Sequence, residues 1–200
     1  MSICLIDYGA GNVPSVERAL HRLGATCDRV TQPAALSNAT AIILPGVGHY
    51  AAIIRALDAQ HLRTPLLEAI GRKIPFLGIC LGLQALYASS EEAPNLAGLG
   101  LLSGRVKCLP REVKLPHMGW NRLRIVKPSP LLDGLNESDY FYFAHTFAAH
   151  HSEHAAAICG YGTQFTAVLQ CDNVFATQFH PEKSGTAGAR LLKNFLGLLA

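Results

Sequence analysis

Through the first half of the chain, short apolar runs alternate with segments whose apolar residues recur every three or four positions. Ile3 to Asp7 reads as a strand; then Val13, Val16, Ala19, Leu20 and Leu23 mark one face of a helix that Gly24 ends. Thr26 to Val30, Ala41 to Leu44 and Pro75 to Ile79 read as further strands. Helices over Tyr50 to Leu57 and over the stretch ending near Ile70-Gly71 separate them. Such alternation predicts βα units and a mostly parallel sheet of the α/β class.

The pattern changes after the midpoint. Asp139 to Phe143, Thr163 to Gln170 and Val174 to Phe179 are aromatic or β-branched, and turn signals at Gly160-Tyr161-Gly162 and Cys171-Asp172-Asn173 separate them, which predicts antiparallel hairpins. A last helix places Ala189, Leu192, Phe195, Leu196 and Leu199 on one face, with Ser184 in position to cap it. Ser89 to Asn95 reads as a loop. No repeat or linker interrupts the 200 residues, so they are expected to form one domain.

Composition narrows the function classes. The chain is 50% hydrophobic and 16% charged, enough to bury one sizeable core. Its formal charge of +3 is scattered without basic runs or interleaved aromatics, which argues against a nucleic-acid partner. Met1 to Asp7 is apolar but lacks the basic flank of a signal peptide and the length of a membrane span. The six cysteines show no paired spacing, and a reducing, cytoplasmic compartment fits them. The cluster His150, His151, Ser152, Glu153 and His154 invites a metal reading. With no cysteine or carboxylate at zinc spacing, it reads instead as a solvated polar loop, and no metal or cofactor is expected.

Candidate chemistry gathers where apolar runs end. Pro75 to Ile79 breaks into Gly78-Ile79-Cys80-Leu81-Gly82, the pattern of a nucleophile elbow, in which flanking glycines permit a sharp turn that displays one side chain. A helix starting there would favour the Cys80 thiolate and aim the Leu81 amide at a developing oxyanion. A buried structural cysteine is the plain alternative. A base is offered by Phe179-His180-Pro181-Glu182, where Glu182 shares a face with His180 if the chain stays extended through Pro181. Ala41 to Leu44 runs into Pro45-Gly46-Val47-Gly48, whose glycines let amides approach a substrate; a plain strand-to-helix turn is its alternative. Cys80, His180 and Glu182 together have the roles of nucleophile, base and orienter.

These motifs resemble those of class I, triad-type glutamine amidotransferases over essentially the whole chain. The likeness is greatest to the glutaminase subunits of imidazole glycerol phosphate synthases. Asp7-Tyr8-Gly9-Ala10-Gly11-Asn12, Pro116-His117-Met118-Gly119-Trp120-Asn121 and Tyr142-Phe143-Ala144-His145-Thr146-Phe147 carry that second, narrower resemblance. The resemblance implies a flavodoxin-like open sheet with helices on both faces. It also implies hydrolysis of glutamine by Cys80, His180 and Glu182, with an oxyanion hole from Val47, Gly48 and Leu81. Gln84 and the backbone of His145, Thr146 and Phe147 would bind the substrate's amino acid end.

The ammonia is then implied to pass to a (β/α)₈-barrel cyclase that makes imidazole glycerol phosphate and an aminoimidazole carboxamide ribotide. Asn12, Trp120, Tyr142 and Lys183 match positions near that partner. Alternatives are the glutaminase of another amidotransferase, a cysteine peptidase on similar architecture, and a non-catalytic binding subunit. Leu83, where anthranilate-type glutaminases usually carry histidine, ranks the first of these lower.

Overall fold

The computed structural model describes residues 2–150 and 152–199. Its chain runs β1 (Ile3–Ile6), α1 (Val13–Arg22), β2 (Asp28–Val30), β3 (Ala41–Gly46), α2 (Tyr50–Ala59), α3 (Arg63–Gly71), β4 (Phe76–Cys80), α4 (Leu81–Ala85) and β5 (Tyr87–Ser90). There follow β6 (Leu102–Cys108), β7 (His117–Arg122), β8 (Arg124–Ile125), β9 (Tyr140–His145), β10 (Phe147–Ala149), β11 (Ala155–Tyr161), β12 (Thr163–Cys171), β13 (Val174–Thr177) and α5 (Gly185–Gly197).

One eight-stranded sheet, ordered β2-β1-β3-β4-β13-β12-β11-β8, spans the molecule. Its β2-β1-β3-β4-β13 side is parallel and its β13-β12-β11-β8 side antiparallel. Alternation within β1 explains how both faces are covered. Ile3 and Leu5 pack with Val16 and Leu20 of α1 and Leu191 of α5. Cys4 and Ile6 face the other way, toward Ile53, Ile54 and Leu57 of α2 and Leu66 of α3. Strands buried on both faces read as continuous apolar runs, which is why the parallel half was legible. Two smaller units, β10-β6-β5 and the antiparallel ribbon β7-β9, build out one end. Among the described residues no helix is long and apolar enough to cross a membrane.

Several expectations need correction. β3 continues through Pro45 to Gly46 because Gly46 stays in register with Cys80. Tyr87–Ser90, expected at its end to be loop, pairs with β6. The strand expected to run to Phe179 ends at Thr177, where its parallel pairing with β4 stops at Ile79. Ser184 occupies the N-cap of α5 but makes no capping bond. Its hydroxyl instead donates to the His180 carbonyl (2.6 Å) and accepts from the Tyr142 amide (2.9 Å). The strands β6, β7, β8, β10 and β11 have weak or interrupted alternation and were not anticipated.

Candidate active site

The elbow is built by close approach. Cys80 sits at φ 54°, ψ −103°, a conformation that non-glycine residues rarely adopt and that persists only where the surroundings enforce it. The surroundings are tight. A Cβ on Gly82 would lie 2.0 Å from the Leu44 carbonyl oxygen, one on Gly46 2.5 Å from the Leu81 Cβ, and one on Gly78 2.9 Å from Gly82 backbone. Three glycines therefore let β3, β4 and α4 converge and hold the thiol in its strained position. The helix that follows has only five residues, Leu81–Ala85, so its dipole is weaker than the pattern suggested.

His180 arrives from the neighbouring strand. It is 2% exposed, and its Nδ1–H donates to Glu182 Oε1 at 2.9 Å. The contact does not come from an extended chain: Pro181–Lys183 is a single 3-10 turn that folds Glu182 back beneath the ring. Asn12, in the left-handed region at φ 57°, donates from Nδ2 to the same Oε1 at 3.1 Å. Burial alone would lower the His180 pKa. The adjacent Cys80, by charge and hydrogen bonding, and then Glu182 outweigh that penalty and push it up to about 10.

A cleft of about 370 Å³ opens over the cysteine. It is lined by Val47, Gly48, Cys80, Leu81, Gln84, Tyr142, His145, Thr146, Phe147, His180 and Lys183, which gathers most of the residues named from sequence. Glu182 and Asn12 lie behind His180. Trp120, 56% exposed, stands outside the cleft against Tyr142, with ring centroids 5.9 Å apart, and the Lys183 ammonium lies 5.9 Å from the Tyr142 ring centre. Gly48 takes φ +92°, which requires glycine at that turn. The buried Tyr8 phenol is raised first by burial. The Val47 amide is close enough to offset part of that rise, yet the hydroxyl has no partner in hydrogen-bonding geometry.

Behind the cleft runs a polar chain whose direction is set at one atom. The Phe147 carbonyl can only accept, and it receives Gln84 Nε2–H (2.7 Å) and His145 Nδ1–H (3.0 Å). His145 Nε2 is then an acceptor and receives a hydrogen bond from His117 Nδ1–H at 3.0 Å. Asn121 approaches His117 Nε2 at 3.4 Å. His117 lies stacked between Phe143 and Tyr161. Burial pushes His117 down to about 4; burial and then the His117 charge push His145 down to about 3, so both are neutral at pH 7.

Three residues around the cleft were not singled out from the sequence. Glu92 lines it and accepts the Tyr50 amide at the start of α2 (2.7 Å). Gln178, fully buried, lies between Gln84 and Cys80. His117 lay within a quoted motif but carried no expected role. A polar residue two positions before His180, at the end of an apolar strand, was the available signal for Gln178. The His150–His154 cluster falls partly outside the described residues, since His151 is not among them.

A family profile described as glutamine amidotransferase class-I matches residues 4–198. The chain is 46% identical over 198 residues to the imidazole glycerol phosphate synthase subunit HisH of Methanothermobacter thermautotrophicus, with 98% of each chain covered. It is 45% identical over 203 residues to the subunit of the same name from Deinococcus radiodurans, covering 99% of this chain and 94% of that one. Among solved structures, a glutamine amidotransferase superposes with a TM-score of 0.78 at 21% identity over 98% of both chains. PurLQS of Thermotoga maritima superposes at 0.77 and 20% identity, over 100% of this chain and 99% of that one. At those identities the structural likeness speaks for the fold. The profile and the relatives together place the chain in the class-I glutamine amidotransferase family, among the HisH subunits of imidazole glycerol phosphate synthase.

Proposed function

We propose that residues 1–200 act as one glutaminase domain that hydrolyses glutamine to glutamate and ammonia through Cys80, His180 and Glu182. The observation that carries this reading is the strained Cys80 elbow beside a buried His180 that Glu182 holds at 2.9 Å. The Cys80 thiolate attacks the side-chain amide carbon. His180, kept protonated by its neighbours, gives its proton to the departing ammonia. Water then opens the thioester with His180 as base. The Leu81 amide and an amide of the Val47-Gly48 turn receive the oxyanion, each such donor contributing about 3 kcal/mol in the transition state. Gln84 has both amide hydrogens committed, to Phe147 and Gln178, which leaves its Oε1 to accept from the substrate's ammonium. Glu92 lines the same cleft and supplies a complementary charge.

The ammonia passes to a (β/α)₈-barrel cyclase subunit, which makes imidazole glycerol phosphate and aminoimidazole carboxamide ribotide in histidine biosynthesis. The surface formed by Trp120, Tyr142 and Lys183, next to the triad, supports docking there, as does the exposure of Met118 at 65%. Free thiols throughout fit the cytoplasm. The isolated chain turns over slowly because the glycine-bearing Val47-Gly48 turn presents its amide only when the partner docks. The test is glutamate release by the purified chain alone and with the cyclase and its nucleotide substrate, Cys80→Ala serving as blank. Cys80-dependent stimulation is expected. Activity indifferent to the cyclase would move the pathway, and no activity in any mixture would favour a binding subunit.

A further inference from the structure

The environment of Cys80 contains a polar group that the triad does not use. β13 runs parallel to β4 with Thr177 beside Ile79, so the next residue, Gln178, comes alongside Cys80. Its backbone amide is fixed to the Ala167 carbonyl at 2.9 Å, and the residue is fully buried. The side-chain orientation follows from its neighbours. Gln84 must present its NH₂ to the Phe147 carbonyl, and the same NH₂ faces Gln178 at 3.1 Å. Gln178 therefore turns its oxygen to Gln84 and its NH₂ to the other side, where Nε2 lies 3.6 Å from Cys80 Sγ, within the range of an N–H···S bond.

We propose that Gln178 is a further member of the catalytic centre: its amide donates to the Cys80 thiolate, and its oxygen holds Gln84 in place to receive the substrate. The proposal rests on the reading of Cys80 as the nucleophile. A thiolate in a site from which water is mostly excluded has lost its hydration, and a buried amide donor replaces part of it without adding a charge. A neutral donor suits the chemistry better than a second cation. It lowers the energy of the resting anion without competing with His180 for the role of proton donor. The amide also couples the two halves of the site, since displacement of Gln178 frees Gln84 from one of its two acceptors. The other titratable groups near the sulfur are His180, with Glu182 behind it, and the Tyr8 phenol; Glu92, His145 and Lys183 line the same cleft.

Alkylation of Cys80 by iodoacetamide across pH 5.5 to 10, followed at the Cys80 peptide by mass spectrometry because five other thiols are free, reads the sulfur without needing glutamine. For Gln178→Met, which keeps the length and loses the donor, the half-maximal rate is expected about one pH unit higher than in the parent. The KM for glutamine should rise together with the fall in kcat, because Gln84 is loosened. A folded Gln178→Met chain whose alkylation profile superimposes on the parent's overturns the proposal, whatever its glutaminase activity. Should that variant fail to fold, the ¹⁵N-labelled Cys80→Ala chain supplies the answer. The Gln178 side-chain amide resonance must move when its sulfur acceptor is removed, and an unmoved resonance overturns the proposal. A predicted alkylation shift in a chain that hydrolyses no glutamine keeps this assignment and removes the glutaminase reading.

Discussion

His180 and the His117–His145 pair are all less than 7% exposed, yet they hold opposite charge states. At the pair, burial meets no compensating charge; a neutral ring hydrogen-bonds to another neutral ring and to a carbonyl, and both pKa values fall, to about 4 and about 3. At His180, the same penalty is overturned by the Cys80 sulfur and the Glu182 carboxylate, and the value rises to about 10. Burial thus sets the default, and the choice of two side chains reverses it. On the proposed mechanism the contrast divides the labour: a charged histidine where a proton is to be delivered, neutral ones where a carbonyl and an amide are held still.

The same contrast fixes the signs of the pH dependence. His180 has a raised folded value, so its contribution to stability is complete below about 6.5, the unfolded value, and is lost as pH climbs through about 10. His117 and His145 have lowered values. Their contribution is complete above about 6.5 and is lost as pH falls toward about 4 and about 3, because the unfolded chain takes up protons that the folded pair refuses.

The largest break comes from Cys80→Ala, which removes the proposed nucleophile and is expected to cut kcat by roughly 10⁴-fold or more in steady-state glutaminase assays. Residual activity near the parent's would remove Cys80 from the reaction. Glu182→Gln leaves the shape of the site and takes away the second of the two groups, after Cys80, that keep His180 protonated. A loss of roughly 10³-fold in kcat is expected, with the basic limb of the pH–rate profile moving to lower pH. An unmoved limb would confine Glu182 to packing.

Sharpening the comparison from the other side, urea unfolding at pH 7 and pH 4.5 should show a loss of about 2 to 3 kcal/mol for each histidine of the neutral pair. His117→Phe, stacked in the same place between Phe143 and Tyr161, should flatten part of that slope. The smallest effect belongs to Ser184→Ala. Loss of its bonds to the His180 carbonyl and the Tyr142 amide is expected to cost about 1 to 2 kcal/mol and a few degrees in Tm, seen by thermal denaturation.

Glycine and periodicity made much of this architecture readable. The apolar runs at Ile3, Ala41 and Phe76 are continuous because both faces of the parallel strands are buried, and Gly78 and Gly82 mark the elbow because a side chain on Gly82 would meet the Leu44 carbonyl and one on Gly78 the Gly82 backbone. The strands β6, β7 and β8 stayed hidden because they are short or alternate weakly, and their pairing comes from residues far away in sequence. His117 to Arg122, for instance, is a strand only because Tyr140 to His145 lies beside it.

The sequence by itself determined the parallel core, the positions of the three turns that carry the proposed chemistry, and the residue types of the proposed triad, since these depend on local pattern and on glycine's freedom from a Cβ. Tertiary structure alone decided the rest. A 3-10 turn brings Glu182 under His180, and the Ser184 hydroxyl leaves its helix to tie His180 to Tyr142. The direction of every hydrogen bond from Asn121 to Gln178 is set by one carbonyl at Phe147. The physical reason is that charge state and hydrogen-bond polarity belong to the surroundings of a group, and those surroundings are assembled from segments as much as 170 residues apart in the chain.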